Sequence, residues 1–319
     1  MVEDGNRDHQ LELIDSFKHG GAGLGPAISA SYYKVVMVVS RRIVLTGPGI
    51  CWILALLVVP CALLLVNSFF ERGVYGGIDY VFTAENYIRA LDPLYAEIFW
   101  SSARVALITT LVSLALGYPA AYCIALMPKR RQLAYLILVM LPLWSNYLIR
   151  TYAWMVLLNS EGLINKTLLA LGLIDAPLPL LYNDFAIIIG LTYAYVPFMI
   201  LALFSSISKL GPELREASTD LGASPLMTFW RVTLPLTLPG VAAGSVFVFV
   251  LSVGNFVTPD LLGGGKRTML GNLIYDQFLT ARDWPFGSAI AAIVIGIMML
   301  LLTVQAILVN RRDREGPAA

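Results

Sequence analysis

The sequence predicts an all-α integral membrane protein with six transmembrane helices. Hydrophobic residues make up 58% of the 319-residue chain and charged residues only 13%, whereas about a quarter of the residues in a soluble domain are charged. Long apolar runs also recur along the chain, and each reaches the roughly 20 residues that a helix needs to cross a bilayer. In chain order, the predicted spans are residues 50–69, 99–127, 133–157, 185–207, 240–262 and 287–309.

Basic residues predict which side of the membrane each connection faces. The two termini and the connections after the second and fourth spans carry about twice as many Lys and Arg as the other connections, and this enrichment marks the cytoplasmic side. Both termini are therefore predicted to lie inside. The loops around Asp79, Asp175 and Asp283 are predicted to lie outside.

The spans and their flanks divide the chain into predicted regions. Residues 1–45 form an acidic, polar segment without the basic and apolar regions of a signal peptide, so they are predicted to be a cytoplasmic tail. Residues 46–98 hold the first span and an outer loop. Residues 99–311 form a core of five spans that includes a polar cytoplasmic segment, residues 209–239, and residues 312–319 form a second tail.

Composition excludes several kinds of site. A net charge of +1 gives no basic surface for nucleic acid. The two histidines, His9 and His19, both lie in the N-terminal tail, so the body of the chain has no His-based metal or catalytic site. Three cysteines, Cys51, Cys61 and Cys123, lack metal-ligand spacing and are interpreted as packing residues. We therefore predict that this chain binds no metal and no cofactor.

A glycine-rich stretch, Gly-Gly-Gly-Lys-Arg-Thr at residues 263–268, invites comparison with a phosphate-binding loop. That loop requires Gly, four residues, and then Gly-Lys followed by Ser or Thr. Here Lys266 is followed by Arg267, and Asp260 stands where the first glycine belongs. The stretch is interpreted as a turn after a span, so any ATP must be bound by another subunit.

The polar segment 209–239 contains helix start and stop signals. Residues 209–220 have the composition of a short helix, and Gly222 is suited to the left-handed backbone that ends one. Ser224 and Pro225 are typical of the cap and first residue of a new helix. The segment is therefore predicted to form two short helices joined by a tight turn.

The second of these helices is predicted over residues 226–234, with Pro235 and Pro239 ending it before the fifth span. Two interpretations of the unit remain open: a helix pair packed under the bundle, or a docking element for a cytoplasmic partner. A DNA-reading helix-turn-helix is excluded because the segment has no basic face. Its basic residues, Lys209, Arg215 and Arg231, are offset by Glu213, Glu216 and Asp220.

The segment resembles a motif of binding-protein-dependent ABC importer permeases. That motif reads Glu-Ala-Ala, three residues, Gly, nine residues, and then Ile, any residue, Leu and Pro. This chain has Glu216-Ala217-Ser218, then Gly222, and then residues 232–235, Val-Thr-Leu-Pro, so it departs at Ser218 and Val232. The frame covers twenty residues in the penultimate connection.

The resemblance implies the type I importer fold, a position in the bacterial inner membrane and a subunit without catalytic activity. It also implies partners: a cytoplasmic ABC ATPase dimer that uses the ATP, a second permease chain that is related but not identical, and a periplasmic solute-binding protein. In this family the motif docks on the ATPase. The residues carried over to that coupling role are Glu216, Ala217, Ser218, Gly222, Leu234 and Pro235.

Three further stretches resemble the spermidine/putrescine permease subunits of the same family. They are RTYAWMVLLNSEGLIN, PLLYNDFAIIIGLTYAYVPFMILAL, and FVTPDLLGGG followed later by DWPFGSA. This likeness runs over about residues 50–309 and implies import of a polyamine. Importers of opines and other small solutes share much of the pattern, so another substrate remains an alternative.

A polyamine needs carboxylates for its ammonium groups and aromatic faces for its methylene groups. Asp260 is the best candidate carboxylate, and Asn255 is expected on a nearby helix face. Arg150 is predicted to shape an outer gate. Snorkelling or a structural ion pair is the alternative for both Arg104 and Arg150. Asp260 is the partner considered for Arg150. The aromatic candidates are Trp144, Tyr147, Trp154, Tyr193 and Tyr195, which also suit the membrane interface.

Pro142, Pro197 and Pro259 are predicted to kink their spans. Two other classes of protein remain as alternatives: an ion-coupled secondary carrier and a structural membrane protein. A carrier requires ionisable groups near the middle of the bilayer. The ionisable residues of the predicted spans lie instead toward their outer ends, which favours the importer subunit.

Overall fold

The computed structural model describes the backbone of residues 26–314 and the side chains of residues 46–307. Residues 1–25 of the predicted N-terminal tail and residues 315–319 of the predicted C-terminal tail lie outside the described residues. The chain divides into two compact units, one up to Leu63 and one from Leu64 onward. The helices are α1 (Pro26–Asn67), α2 (Glu85–Ala90), α3 (Pro93–Ala125), α4 (Lys129–Met140), α5 (Tyr147–Leu158), α6 (Leu163–Ala170), α7 (Asp184–Ile207), α8 (Pro212–Asp220), α9 (Pro225–Thr228), α10 (Leu234–Val253), α11 (Val257–Gly263), α12 (Leu270–Leu279) and α13 (Trp284–Arg314).

Within the described residues, five helical stretches are long and apolar enough to cross a membrane, and the predicted third span differs from them. That span is a pair of segments, Lys129–Trp144 and Tyr147–Ala170, bent by 85°. The prediction of one continuous helix over residues 133–157 was therefore wrong. These five candidates are Thr46–Asn67, Pro93–Ala125, Asp184–Ile207, Pro225–Val253 and Trp284–Ile307.

The bend in the third span has a local cause. Pro142 lies in a 3-10 turn, Leu141–Trp144, where the helix loses the N–H group that proline lacks. A new helix then starts at Tyr147, because the Asn146 side chain accepts a hydrogen bond from the Leu148 N–H at 2.8 Å. Apolar periodicity alone did not reveal this cap.

The centre of the bundle is formed by α3, α7 and α10. Small residues let these helices approach closely: a side chain at Gly244 would meet the sulfur of Met199, and one at Gly117 would come within 3.0 Å of the Met199 side chain. A buried cluster then fills the space between the helices. Its buried members are Tyr118, Ala121, Ile124, Met199, Ile200, Leu203, Ile207 and Val248.

The two-helix unit and Asn255 lie at opposite ends of this bundle. Helix α7 runs from Asp184 to Ile207 and leads into α8, while α10 returns from the unit to Val253, just before Asn255. We call these the Gly222 end and the Asp184 end.

Neither Pro235 nor Pro239 ends a helix, contrary to prediction. The chain runs without interruption from Pro225 to Val253, through a π-helical turn at Phe229–Thr233. The wider turn lies immediately before the Pro235 ring, which otherwise collides with the preceding turn of an α-helix. The predicted fifth span, residues 240–262, is instead interrupted after Val253, and a short helix resumes at Val257.

A small module follows α1. Strands β1 (Phe70–Arg72) and β2 (Ile78–Phe82) pair antiparallel, and the hairpin binds the segment before α13 through Arg72 and the backbone of Gly77. Arg89 on α2 pairs with the buried carboxylate of Asp283 at 2.8 Å. Burial opposes the Arg89 charge, but hydrogen bonds with Asp283 and Tyr95 outweigh it and raise the Arg89 pKa.

Candidate functional site

The turn between α8 and α9 is a helix-ending motif built on glycine. Gly222 has φ of +81°, a left-handed conformation. Its N–H donates to the Thr219 carbonyl at 2.8 Å, and the Ala223 N–H donates to the Ser218 carbonyl at 3.1 Å. This pair of bonds defines a Schellman motif. Ser224 then caps α9 by accepting from the Met227 N–H, and Pro225 follows at the first position, as predicted.

A buried hydrogen bond joins the two helices across this turn. The hydroxyls of Ser218 on α8 and Thr228 on α9 lie 2.9 Å apart, and the two residues are only 9% and 6% exposed. Ser218 is one of the two departures from the permease motif, and an alanine there would leave Thr228 without this partner. The unit is therefore held by a side-chain bond as well as by its backbone turn.

The outer surface of the unit carries exposed apolar side chains beside polar ones. Leu221, beside the turn, is 89% exposed, and Leu226 and Trp230 are more than half exposed. Glu216 and Ala217 are also exposed. An open depression of about 280 Å³ lies alongside them, lined by Pro212, Arg215, Glu216, Thr219 and Asp220. Leu234 packs against the bundle core, and Pro235 is exposed.

At the Asp184 end, Asn255 organises a polar cluster. Its Nδ2 donates to the hydroxyls of Tyr147 and Tyr195, both at 2.6 Å, and its Oδ1 accepts from the Thr258 N–H at 2.9 Å. The Tyr147 and Thr258 hydroxyls also bond to each other. Three of the four hydrogen bonds available to an asparagine side chain are thus made. The cluster ties α5, α7 and α11 together where the fifth span is interrupted.

Two residues of α12 support that interruption. Gly271 lies against the Asn255 carbonyl, since a side chain there would come within 2.7 Å of that oxygen. The Asn272 Nδ2 donates to the Phe256 carbonyl at 2.8 Å. The same carbonyl accepts the first bond of α11, from the Asp260 N–H at 3.1 Å, so the Asn272 bond is its second.

Arg150 lies beside the cluster, and no carboxylate among the described residues pairs with it. Its guanidinium carbon is 5.6 Å from the centre of the Tyr147 ring and 5.9 Å from that of Tyr193. Trp154 packs edge-on against Tyr193. The Arg150 Nε and Nη1 atoms are buried and have no hydrogen-bond partner within the described part of the chain.

The structure separates the remaining predicted residues from this cluster. Asp260 does not pair with Arg150; it lines a cavity on the other side of α11, because it is two residues, about 200° of helix, beyond Thr258. Trp144 is exposed in the 3-10 turn. Arg104 forms the ion pair that was one of its two expected roles, with Asp184 at 2.8 Å, and Arg267 binds the same carboxylate at 3.2 Å.

The sequence interpretation missed Thr228, Thr258, Gly271, Asn272 and Asp276, the last of which lines the cavity with Asp260. The spacing of Asn272 and Asp276, four residues apart on an amphipathic helix, was an available signal for the last two. Among the described residues, no three His, Cys, Asp or Glu side chains come together as metal ligands.

Comparison with known proteins identifies a family. Residues 27–314 match the family of binding-protein-dependent transport system inner membrane components. A spermidine/putrescine transport system permease protein, PotB, from Escherichia coli K12 is 42% identical over 264 residues, which are 82% of this chain and 96% of that protein. The Haemophilus influenzae PotB is also 42% identical, over 79% of this chain and 88% of its own length.

Solved structures share the fold. A chain of a bacterial ABC transporter involved in the import of alginate matches with a TM-score of 0.64 at 19% identity, covering 90% of this chain and all of that one. A second alginate transporter structure, in complex with its periplasmic protein, matches with a TM-score of 0.68 at 15% identity over 89% of this chain and 99% of that one. At these identities the likeness concerns the fold.

Proposed function

The chain belongs to the family of binding-protein-dependent transport system inner membrane components, and from this premise we propose that it is the permease subunit of an ABC importer for a polyamine of the spermidine/putrescine class. The observation that carries the proposal is the 42% identity with PotB over nearly the whole of that protein. An opine or another small solute is the alternative substrate. Family membership favours the importer over an ion-coupled carrier.

In this proposal, α8 and α9 form the contact with a cytoplasmic ATPase dimer, which uses the ATP, while this chain performs no chemistry. The exposed apolar residues Leu221, Leu226 and Trp230 suit burial against a protein partner. The Schellman turn and the Ser218–Thr228 bond make the unit rigid, so a force on it moves both helices together. Both termini lie on the same, cytoplasmic, side.

Helix continuity supports a route for this force. Residues from Pro225 to Val253 form one uninterrupted 29-residue stretch, which is about 40 Å long at 1.5 Å per residue. Its first residues belong to the proposed docking unit, and Asn255 follows its last turn. A displacement at the Gly222 end therefore reaches the Tyr147–Asn255–Tyr195 cluster through one continuous helix.

We assign that cluster to a gate rather than to a resting site for the solute. The Arg150 guanidinium lies close to the ring of Tyr147, a member of the cluster, and to the ring of Tyr193 beside it, and its positive charge repels an ammonium group. Opening the path requires breaking the two hydrogen bonds that Asn255 donates, and ATP-driven movement of α10 breaks them. A second permease chain, related but not identical, completes the path, and a periplasmic solute-binding protein delivers the polyamine.

Reconstitution tests the proposal. This chain, a second permease, the ATPase and the binding protein are placed in proteoliposomes, and uptake of radiolabelled putrescine is measured with ATP supplied on the ATPase side. We expect uptake that requires both ATP and the binding protein. Uptake driven by an ion gradient without ATP contradicts the importer, and ATP-driven uptake of an opine but not of putrescine contradicts the polyamine assignment.

A further inference from the structure

A cavity of about 310 Å³ at the Asp184 end lies between α5, α11 and α12. Its volume is at the lower end of the range for small-molecule sites, about 300–1,000 Å³. Two carboxylates line it, Asp260 on α11 and Asp276 on α12. Within the described residues, neither carboxylate has a hydrogen-bond or ion-pair partner. Arg267, the cation on the cavity wall, is bound to Asp184 instead.

Aromatic rings accompany the carboxylates on both walls. Phe256 precedes Asp260 by four residues, and Tyr275 precedes Asp276 by one. The two rings stack with their centres 4.9 Å apart and their planes 14° apart, and each is more than 40% exposed. Tyr152 of α5 adds a third exposed ring to the lining. Exposed ring faces beside unpaired carboxylates attract cations and cover methylene groups.

The cavity wall also includes a residue with an unsatisfied acceptor. The Asn272 side chain lines the same cavity, and its Nδ2 is used on the Phe256 carbonyl. That bond fixes the amide, so its Oδ1 is left buried without a donor in the described part of the chain. A buried acceptor without a partner is unfavourable, but this atom is enclosed, so an ammonium group in the cavity reaches it only after the lining shifts. Asn272 and Asp276 are four residues apart and share one face of α12.

We propose that this cavity binds a linear aliphatic diamine or longer polyamine, with one ammonium group at each of Asp260 and Asp276, the chain against the rings and a hydrogen bond to the Asn272 Oδ1. The inference rests on the proposed function and adds to it a binding site outside the gate. The solute waits beside α11, on the face opposite Thr258, and reaches the cluster when the Asn255 bonds break.

The test measures binding to the intact transporter in lipid nanodiscs, without nucleotide and without the solute-binding protein. Putrescine and 1-butylamine are the probes, because they share a four-carbon chain and differ by one ammonium group. We expect the wild type to prefer putrescine. Asp260→Asn or Asp276→Asn should weaken putrescine binding about tenfold or more and bring it to the level of butylamine, since each removes one charge-assisted contact.

Matched variants separate the site from general charge effects. Asp175→Asn removes an exposed carboxylate that does not line the cavity, and it should leave putrescine binding unchanged. Asp276→Glu retains the charge and should retain the preference for putrescine. The cavity assignment is overturned if wild type binds both probes equally, or if the two asparagine variants bind putrescine like wild type.

The same preparations distinguish this inference from the proposed function. ATP-driven putrescine uptake by wild type, together with unchanged binding in both asparagine variants, refutes the cavity as a binding site and supports the importer. Putrescine binding that depends on the two carboxylates, without any ATP-driven uptake, refutes the importer and supports the cavity as a binding site.

Discussion

Replacing Gly222 with valine should uncouple ATP hydrolysis from transport without preventing membrane insertion. The backbone at Gly222 has φ of +81°, and a side chain added there meets no other atom within 4 Å. The substitution therefore causes no clash inside this chain and acts on backbone conformation alone. An L-residue in the left-handed region costs about 1–2 kcal/mol, with β-branched residues the least tolerant. That cost lowers the equilibrium ratio of intact to distorted turn by a factor of about 5–30.

Two side chains of similar size separate backbone strain from bulk. Asparagine is one of the few residues that tolerate the left-handed region, so Gly222→Asn should retain most of the coupling that Gly222→Val loses. The assay is the number of putrescine molecules imported per ATP hydrolysed in proteoliposomes that contain the complete transporter. We expect a fall in this ratio for valine, with ATP hydrolysis continuing, and a value near wild type for asparagine.

Two results refute this reasoning. If valine and asparagine lower the ratio equally, the defect comes from bulk at the partner surface and the left-handed turn is not its cause. If valine leaves the ratio at the wild-type value, the turn has no part in coupling, and the docking role of α8 and α9 fails with it.

Three further predictions concern bonds in the described structure. Ser218→Ala should destabilise the transporter by about 1–3 kcal/mol because it leaves the Thr228 hydroxyl buried and unpaired. The double variant with Thr228→Val should recover most of that stability in a double-mutant cycle measured by thermal unfolding. If the losses of the two single variants simply add in the double variant, the two hydroxyls do not stabilise each other. Asn255→Leu removes both bonds to the tyrosine hydroxyls and should raise putrescine leak through the transporter in the absence of ATP, whereas an unchanged leak contradicts the gate. Asp184→Asn should lower the free energy of unfolding by about 1 kcal/mol or less, because its two arginine partners are half exposed. If the loss is no larger than that of the control variant Asp175→Asn, these ion pairs do not stabilise the protein.

The signals that sequence interpretation used well were local. Gly222, Ser224 and Pro225 act within a few residues of themselves, so their structural roles were predictable from position alone. Arg104 was expected to snorkel or to form an ion pair, and the structure supplies Asp184 as its partner. The membrane class followed from composition, which needs no knowledge of contacts.

The errors arose where a second segment decides the outcome. Pro235 was expected to end a helix, but a π turn before it keeps the chain helical. The fifth span was drawn through Asn255 because its neighbours are apolar, and the break there depends on Gly271 and Asn272, which lie beyond the span. Apolar periodicity cannot distinguish a continuous helix from one whose break is contacted by residues more than ten positions away.

The hairpin that follows α1 also constrains the order in which the protein forms. Its bond from Arg72 reaches a carbonyl 209 residues later, and Arg89 reaches Asp283 across 194 residues. At a synthesis rate of about 5–20 residues per second, Arg89 emerges roughly 10–40 s before its partner. During that interval the hairpin has no acceptor and Asp283 does not yet exist, so the module between the first two spans can be completed only when synthesis reaches the last span.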